Sequence, residues 1–170
     1  RRQRQMCIRD SCNPDQAREF TLTLSRVYRR VLERRKQILS TLAEEIDFTW
    51  QYYTLQKIRF DDRIELTSAI DPALRNWRIP SMSLQTLVEN AVKHNSITGG
   101  NPLHIRIRTE GESFLIENNY TPRSDGDKES LGMGLERIRS VYRFYTEENI
   151  SISVGAGTFR CRLPLLPPEK

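Results

Sequence analysis

LQTLVENAVKHN, residues 84–95, is the stretch on which the fold turns. Leu84, Leu87, Val88, Ala91 and Val92 recur at i, i+3, i+4, i+7 and i+8, the spacing of one apolar helix face. Glu89, Asn90, Lys93 and His94 crowd onto the other side. Taken alone, that polar face reads as a solvated surface, and a Glu89–Lys93 pair at i, i+4 is worth only roughly a few tenths of a kcal/mol. Asn90 is harder to explain. An asparagine inside a helix gains nothing from propensity, because its side chain competes for backbone hydrogen bonds.

The whole chain sets limits on what that face can be. Its 170 residues suffice for one core, or for a core with an appendage. With 29% charged and 37% hydrophobic residues the composition is that of a globular protein. No run of about 18 apolar residues and no signal-peptide pattern occurs, so no membrane span or export signal is expected within it. The net charge of +5 draws on RRQRQ at the start and RVYRRVLERRK at 26–36. No nucleic-acid-binding motif accompanies these clusters, so they read as a basic terminus and a solvated helix face, and no nucleic-acid partner is expected. Cys7, Cys12 and Cys161 lack metal-ligand spacing and are expected as reduced thiols, with Cys161 in a core strand beside Phe159 and Leu163.

Moving outward, residues 1–12 show no periodicity and are expected to be a disordered or artificial end. Asn13-Pro14-Asp15 opens a predicted helix to about Arg35, with Phe20, Leu24, Val27 and Val31 as its stripe. A second starts near Ser40 or Thr41, where Glu44 completes a capping-box spacing; its stripe is Leu42, Ile46, Trp50 (or Thr49), Tyr53 and Ile58. Residues 13–60 therefore read as an antiparallel helical hairpin. The pattern changes at Phe60-Asp61-Asp62, and residues 61–165 alternate between strand and helix signals. Arg63 to Ile70 reads as a strand ended by Asp71-Pro72, and Ser81 or Ser83 is placed to cap the helix at 84–95. Leu103, Ile105 and Ile107 alternate with His104, Arg106 and Arg108, and Glu110-Gly111 turns the chain into SFLIEN. A polar stretch, 119–131, precedes a helix with Leu135, Ile138, Val141, Tyr142 and Tyr145 as its buried stripe. A last hairpin runs through Ile150, Ile152 and Val154, turns at Gly-Ala-Gly, and returns through Phe159, Cys161 and Leu163; residues 166–170 form a tail.

Two features carry chemistry. Gly132-Met133-Gly134-Leu135 sits where the polar stretch becomes a helix, a place where glycines let backbone N–H groups approach an anion. It is neither a Rossmann fingerprint nor a Walker loop, since the third glycine and the Gly-Lys-Ser/Thr run are missing. Asn90 offers an amide oxygen to a hard cation such as Mg²⁺, which takes few protein oxygens and completes its shell with phosphate and water. Lys93, next to it on the face, would reach a phosphate.

LVENAVKHN, followed by GMGLERI and then GAGTFRCRLPL, resembles the ATP-binding domain of bacterial sensor histidine kinases, within the superfamily shared with gyrase, a heat-shock chaperone and a mismatch-repair protein. LSRVYRRVL and EEIDFTWQYYTLQKIRF are similar to one branch of those kinases, so the resemblance covers about residues 13–165. It implies an α+β fold: a two-layer sandwich of a mixed sheet on helices, preceded by the helical hairpin, with ATP between a lid at 119–131 and the Asn90 helix. It implies Asn90 as the Mg²⁺ ligand and, with Glu89, a catalytic residue. It further implies Lys93 and His94 on the nucleotide side, and Gly132, Met133, Gly134 and Leu135 around the triphosphate. Thr158 is matched to a threonine near the nucleotide, and Asn118 stands where the family's adenine-reading aspartate stands. The implied activity is transfer of the ATP γ-phosphate to a histidine, with Mg²⁺ as cofactor, for relay to a response-regulator receiver domain. A homodimer through residues 13–60 and a cytoplasmic setting under a membrane-anchored parent are also implied. Only His94 and His104 occur, neither in the acceptor context, so autophosphorylation at the usual site is not expected. A non-catalytic nucleotide-binding or scaffold module is the alternative reading. Hydrolysing members of the superfamily carry a glutamate four residues before the asparagine; Thr86 stands there and is a poor general base.

Overall fold

The computed structural model describes residues 37–60, 63–122 and 128–168, with backbone alone for 128–133, and residues 18, 21–25 and 29 in helical conformation. The expectations for residues 1–12, for Cys7 and Cys12, and for most of the first helical stripe lie outside the described residues. In chain order the elements are β1 (Leu39–Thr41), α1 (Leu42–Phe60), β2 (Ile64–Ala69), β3 (Arg78–Pro80) and α2 (Ser83–His94). Then come β4 (Leu103–Glu110), β5 (Ser113–Asn119), α3 (Lys128–Tyr145), β6 (Ser151–Gly155) and β7 (Thr158–Pro164).

Alternation makes the main sheet, in the order β2-β4-β5-β7-β6. β2 runs parallel to β4 and the other neighbours are antiparallel. Leu103, Ile105 and Ile107 of β4, Phe114 and Ile116 of β5, and Phe159, Cys161 and Leu163 of β7 point to one face. Leu84, Leu87, Val88, Ala91 and Val92 of α2 and Leu135, Ile138 and Tyr142 of α3 meet them there. This is the expected two-layer mixed sandwich. Full burial of each such side chain is worth roughly 1.5–3 kcal/mol. The turn between β6 and β7 carries Ala156 at φ 49° and Gly157 at φ 70°, the doubly left-handed pair that a tight hairpin needs.

Several local expectations are corrected by packing. α1 does carry the Thr41/Glu44 capping box, with both reciprocal bonds made. Of its expected stripe, Leu42 and Thr49 are buried and Ile46 and Tyr53 pack partly buried on the main core; Glu45, Phe48 and Leu55 are buried as well, while Ile58 and Trp50, the alternative to Thr49, face outward. Two clusters flank this helix. Leu42 joins the main core, whereas Phe48 and Leu55 join Met82 in a second cluster with Leu24 against it. β1 also pairs with β3, so the segment entering α1 is tied to the segment entering α2. Tyr145 and Val154 are exposed, one at the end of α3 and the other on the edge strand β6.

The start of α2 differs most. Neither Ser81 nor Ser83 caps it; Met82 is the N-cap, at φ 70° and without a side-chain cap bond, and the Ser83 hydroxyl donates back to Pro80 O at 2.6 Å. The capping acceptor comes from another helix. The fully buried carboxylate of Glu45 accepts from Met82 N–H at 2.9 Å and from Leu84 N–H at 3.2 Å. A carboxylate at a helix N-terminus satisfies orphan donors and complements the helix dipole.

Glu45→Ala would leave those two donors buried without an acceptor. The expected loss is about 3 kcal/mol in urea unfolding, with Glu45→Gln losing less. Alkaline pH offers a second check. Burial pushes the Cys161 thiol from 9.0 up to about 12, and burial, helped by the charge of Glu89, pushes Tyr52 from 10.0 up to about 12. Burial also raises Tyr142, whose hydroxyl donates to Pro164 O. Above about pH 9 the unfolded chain releases protons that the folded chain keeps, so stability falls as pH rises. The urea midpoint is expected to hold level to about pH 8.5 and to decline steadily beyond it.

Candidate functional site

Helical spacing turns Asn90 and His94, four residues apart on α2, towards the same cleft. Asn118 at the end of β5, Tyr120 beyond it and Phe159 of β7 close the other side. Asn90, His94 and Asn118 are thus brought together from segments far apart in sequence. The side-chain nitrogen of Asn90 is buried and has no hydrogen-bond partner among the described residues. A carboxamide left in that state is fit to be turned on a ligand, since a buried amide without a partner is costly. Asn118 is buried, and its Nδ2 donates to Asn119 O at 2.6 Å, which makes Oδ1 the acceptor end of its amide.

Glu89 is exposed and stands on the α1 side of the helix, where its charge acts on Tyr52. Lys93 is exposed in the last turn. Leu135 is buried in the main core, so its side chain faces the sheet and not the cleft. Gly132 and Gly134 lie within α3, which begins at Lys128, and not at the junction of loop and helix. Backbone N–H groups inside a helix are engaged by carbonyls four residues back. The side chain of Met133 and residues 123–127 of the expected lid lie outside the described residues.

Gly134 also serves packing. A Cβ built on it would sit 2.7 Å from Thr86 Cγ2 and 4.0 Å from Asn90 Nδ2. The missing side chain lets α3 lie directly on the Asn90 helix. Thr86 cannot step aside freely, because its hydroxyl donates to Met82 O at 2.7 Å.

Thr158 is not brought to this cleft. It alternates with Phe159 and lines a wider depression on the open face of the sheet, with Thr67, His104, Arg106, Asn119 and Arg160. The charged groups there largely answer one another: Glu117 is bonded by Arg108 and Arg160, and His104 by Glu65 at 2.8 Å. Partial burial works to raise the Glu117 pKa, but the two arginines hold its carboxyl below the ordinary range. Glu117 therefore points away from Asn118, as strand alternation requires.

Sequence reasoning missed Asn95. This buried residue ends α2, donates from Nδ2 to Ala91 O at 2.7 Å, and accepts the Thr121 N–H at 2.7 Å. Ser96 N–H donates to Thr121 O at 2.8 Å, and Tyr120 N–H to Gly157 O at 2.7 Å. The chain leaving β5 is fixed to the helix beside the cleft. An asparagine just past the last apolar position was the available signal.

Gly134→Ala is expected to destabilise the fold by about 1–3 kcal/mol through overpacking on Thr86. Thr86→Ser removes the clashing methyl and should recover most of that loss in thermal unfolding.

Comparison with known proteins bears on this geometry. The family model described as histidine kinase matches residues 4–64, so it takes in residues 4–12, which were set apart above. The sensor histidine kinase BtsS of Escherichia coli (strain K12) is 33% identical over 146 residues, 82% of this chain and 26% of that protein. The sensor histidine kinase YesM of Bacillus subtilis (strain 168) is 31% identical over 128 residues, 71% of this chain and 21% of that protein. The chain thus spans about a quarter of the length of these relatives. Among solved structures, the catalytic domain of histidine kinase ThkA matches with a TM-score of 0.52 and 17% identity, covering 77% of this chain and 97% of that one. The cytoplasmic segment of histidine kinase QseC gives 0.51 and 12%, covering 88% and 93%. At these identities the likeness is one of fold. No helix among the described residues is long and apolar enough to cross a membrane.

Proposed function

We propose that this chain, which belongs to the sensor histidine kinases, is the nucleotide-binding portion of such an enzyme, holding Mg-ATP beside Asn90 for phosphoryl transfer to a histidine. The buried, unpartnered side-chain nitrogen of Asn90, whose half-buried amide lines one cleft with Asn118, is the observation that carries this reading. Asn90 Oδ1 would hold Mg²⁺, Lys93 would contact phosphate, and His94 would line the nucleotide side. Asn118 would accept a hydrogen bond from the adenine amino group through Oδ1. Bound Mg²⁺ would supply charge neutralisation at the phosphates. Asn90 fits that role, as Mg²⁺ takes few protein oxygens and shares the rest of its shell with phosphate and water.

In the transfer, the bond from the γ-phosphorus to the β,γ-bridging oxygen breaks and a bond to an imidazole nitrogen forms, leaving ADP. Such a step depends on positioning and charge, with little covalent work for the protein. Thr86 supports transfer over hydrolysis: its hydroxyl is engaged with Met82 O and offers no base to a water. Glu89, exposed on the α1 side, would act on the acceptor side of the transfer and not on the nucleotide. The acceptor histidine would be presented by another segment, with a receiver domain of a response regulator as the next recipient and residues 13–60 contributing to a homodimer.

Calorimetry with Mg-ATP tests the reading. The chain is expected to bind, and Asn90→Ala to weaken binding by at least ~100-fold, about 2.7 kcal/mol. Equal affinity in the two proteins overturns the assignment. Adding a separate acceptor-domain peptide and ATP should yield phosphohistidine; binding without transfer marks a non-catalytic module.

A further inference from the structure

Met82 is the N-cap of α2 and holds a left-handed backbone, φ 70°, which side chains other than glycine rarely adopt. What holds it there comes from two directions. Its N–H donates to the Glu45 carboxylate of α1 at 2.9 Å. Its side chain is 8% exposed in a cluster with Phe48 and Leu55 of α1, and Leu24 of the preceding helical segment packs against that cluster. What it holds in turn leads to the cleft. Its carbonyl accepts both the Thr86 N–H at 3.0 Å and the Thr86 hydroxyl at 2.7 Å. The Thr86 methyl is the atom against which Gly134 of α3 lies, with Asn90 Nδ2 alongside.

We propose that Met82 is a positioning residue through which docking of the preceding helical segment sets the geometry of the nucleotide cleft. A strained cap persists only while its surroundings over-determine it. When Leu24 leaves the cluster, Met82 relaxes towards an ordinary backbone. Its N–H turns from Glu45, its carbonyl turns from Thr86, and the contact of α2 with Gly134 loosens. Docking and undocking are thus two arrangements of one physical chain of contacts, which is what coupling between sites requires. Coupling of this kind is reciprocal, so a nucleotide that stabilises the α2–α3 contact also stabilises docking of Leu24. The inference concerns regulation of the site proposed above and rests on that reading for its consequence, though not for its structural core.

Hydrogen exchange on the full chain without nucleotide tests it. In Leu24→Ala, amides of Leu84 to Val88 are expected to exchange at least ~10-fold faster, with Ile105, Ile107 and Ile116 in the central strands unchanged; Leu24→Met should restore protection. In a Met82→Gly background, where glycine holds φ 70° without help, Leu24→Ala should add little further change, so the two substitutions are non-additive. Mg-ATP affinity should fall about fivefold in Leu24→Ala and stay level between Met82→Gly and the double variant. Unchanged exchange at 84–88, or strictly additive effects, overturns the relay. If the wild-type chain binds no Mg-ATP while exchange responds as stated, the relay stands and the functional reading falls.

Discussion

One buried carboxylate ties the molecule together. Glu45 leaves α1 and caps α2 through Met82 N–H and Leu84 N–H, joining the helix that follows β1 to the helix that carries Asn90. A free helix N-terminus buried against a core would expose several unsatisfied donors to an apolar interior. Supplying the acceptor from another helix removes that cost and fixes the relative placement of the two helices. The β1–β3 pairing and the burial of Leu42 in the main core follow the same geometry. With α2 anchored at its start, its apolar face lies on the sheet and its polar face is left over the ends of β5 and β7.

The position of the cleft follows from that placement. Asn90 and His94 reach it by helical spacing, and Asn118 and Phe159 reach it as cross-strand partners on β5 and β7. Asn95 then fixes the chain leaving β5 to the end of α2. Gly134 lets α3 close on the same helix. Each group is positioned by a rigid element or by a bond to one, which is how a site of this kind holds its geometry.

Much of this was legible in the residues. The alternation of Leu103, Ile105 and Ile107, the stripe of α2 and the Thr41/Glu44 box each report a local period, and the folded chain obeys them. The cap of α2 was not legible: Ser81 and Ser83 are good local candidates, and nothing local shows that Glu45, in another helix, takes the position instead. Between Trp50 and Thr49 the period alone does not choose, and Ile58 faces outward, since α1 packs on two clusters and a single stripe describes only one. The GMG run reads locally as a loop-to-helix junction, but α3 begins at Lys128, and Gly134 lets it lie on Thr86. The resemblance matches Thr158 to a threonine near the nucleotide, and its alternation with Phe159 turns it to the open face. Local pattern reports which elements form; pairings between distant segments depend on tertiary contacts that no window of sequence contains.

The proposed nucleotide site lies between α2 and the ends of β5 and β7 and not on the open face of the sheet. Side-chain amide resonances of the asparagines, followed during a Mg-ATP titration, test it most directly. Asn90 should shift and saturate, and Asn118, which borders both sites, with it, while Asn119, which lines the open-face depression and not the cleft, moves little. Saturable shifts at Asn119 and at the Thr158 amide, with Asn90 unmoved, would contradict it.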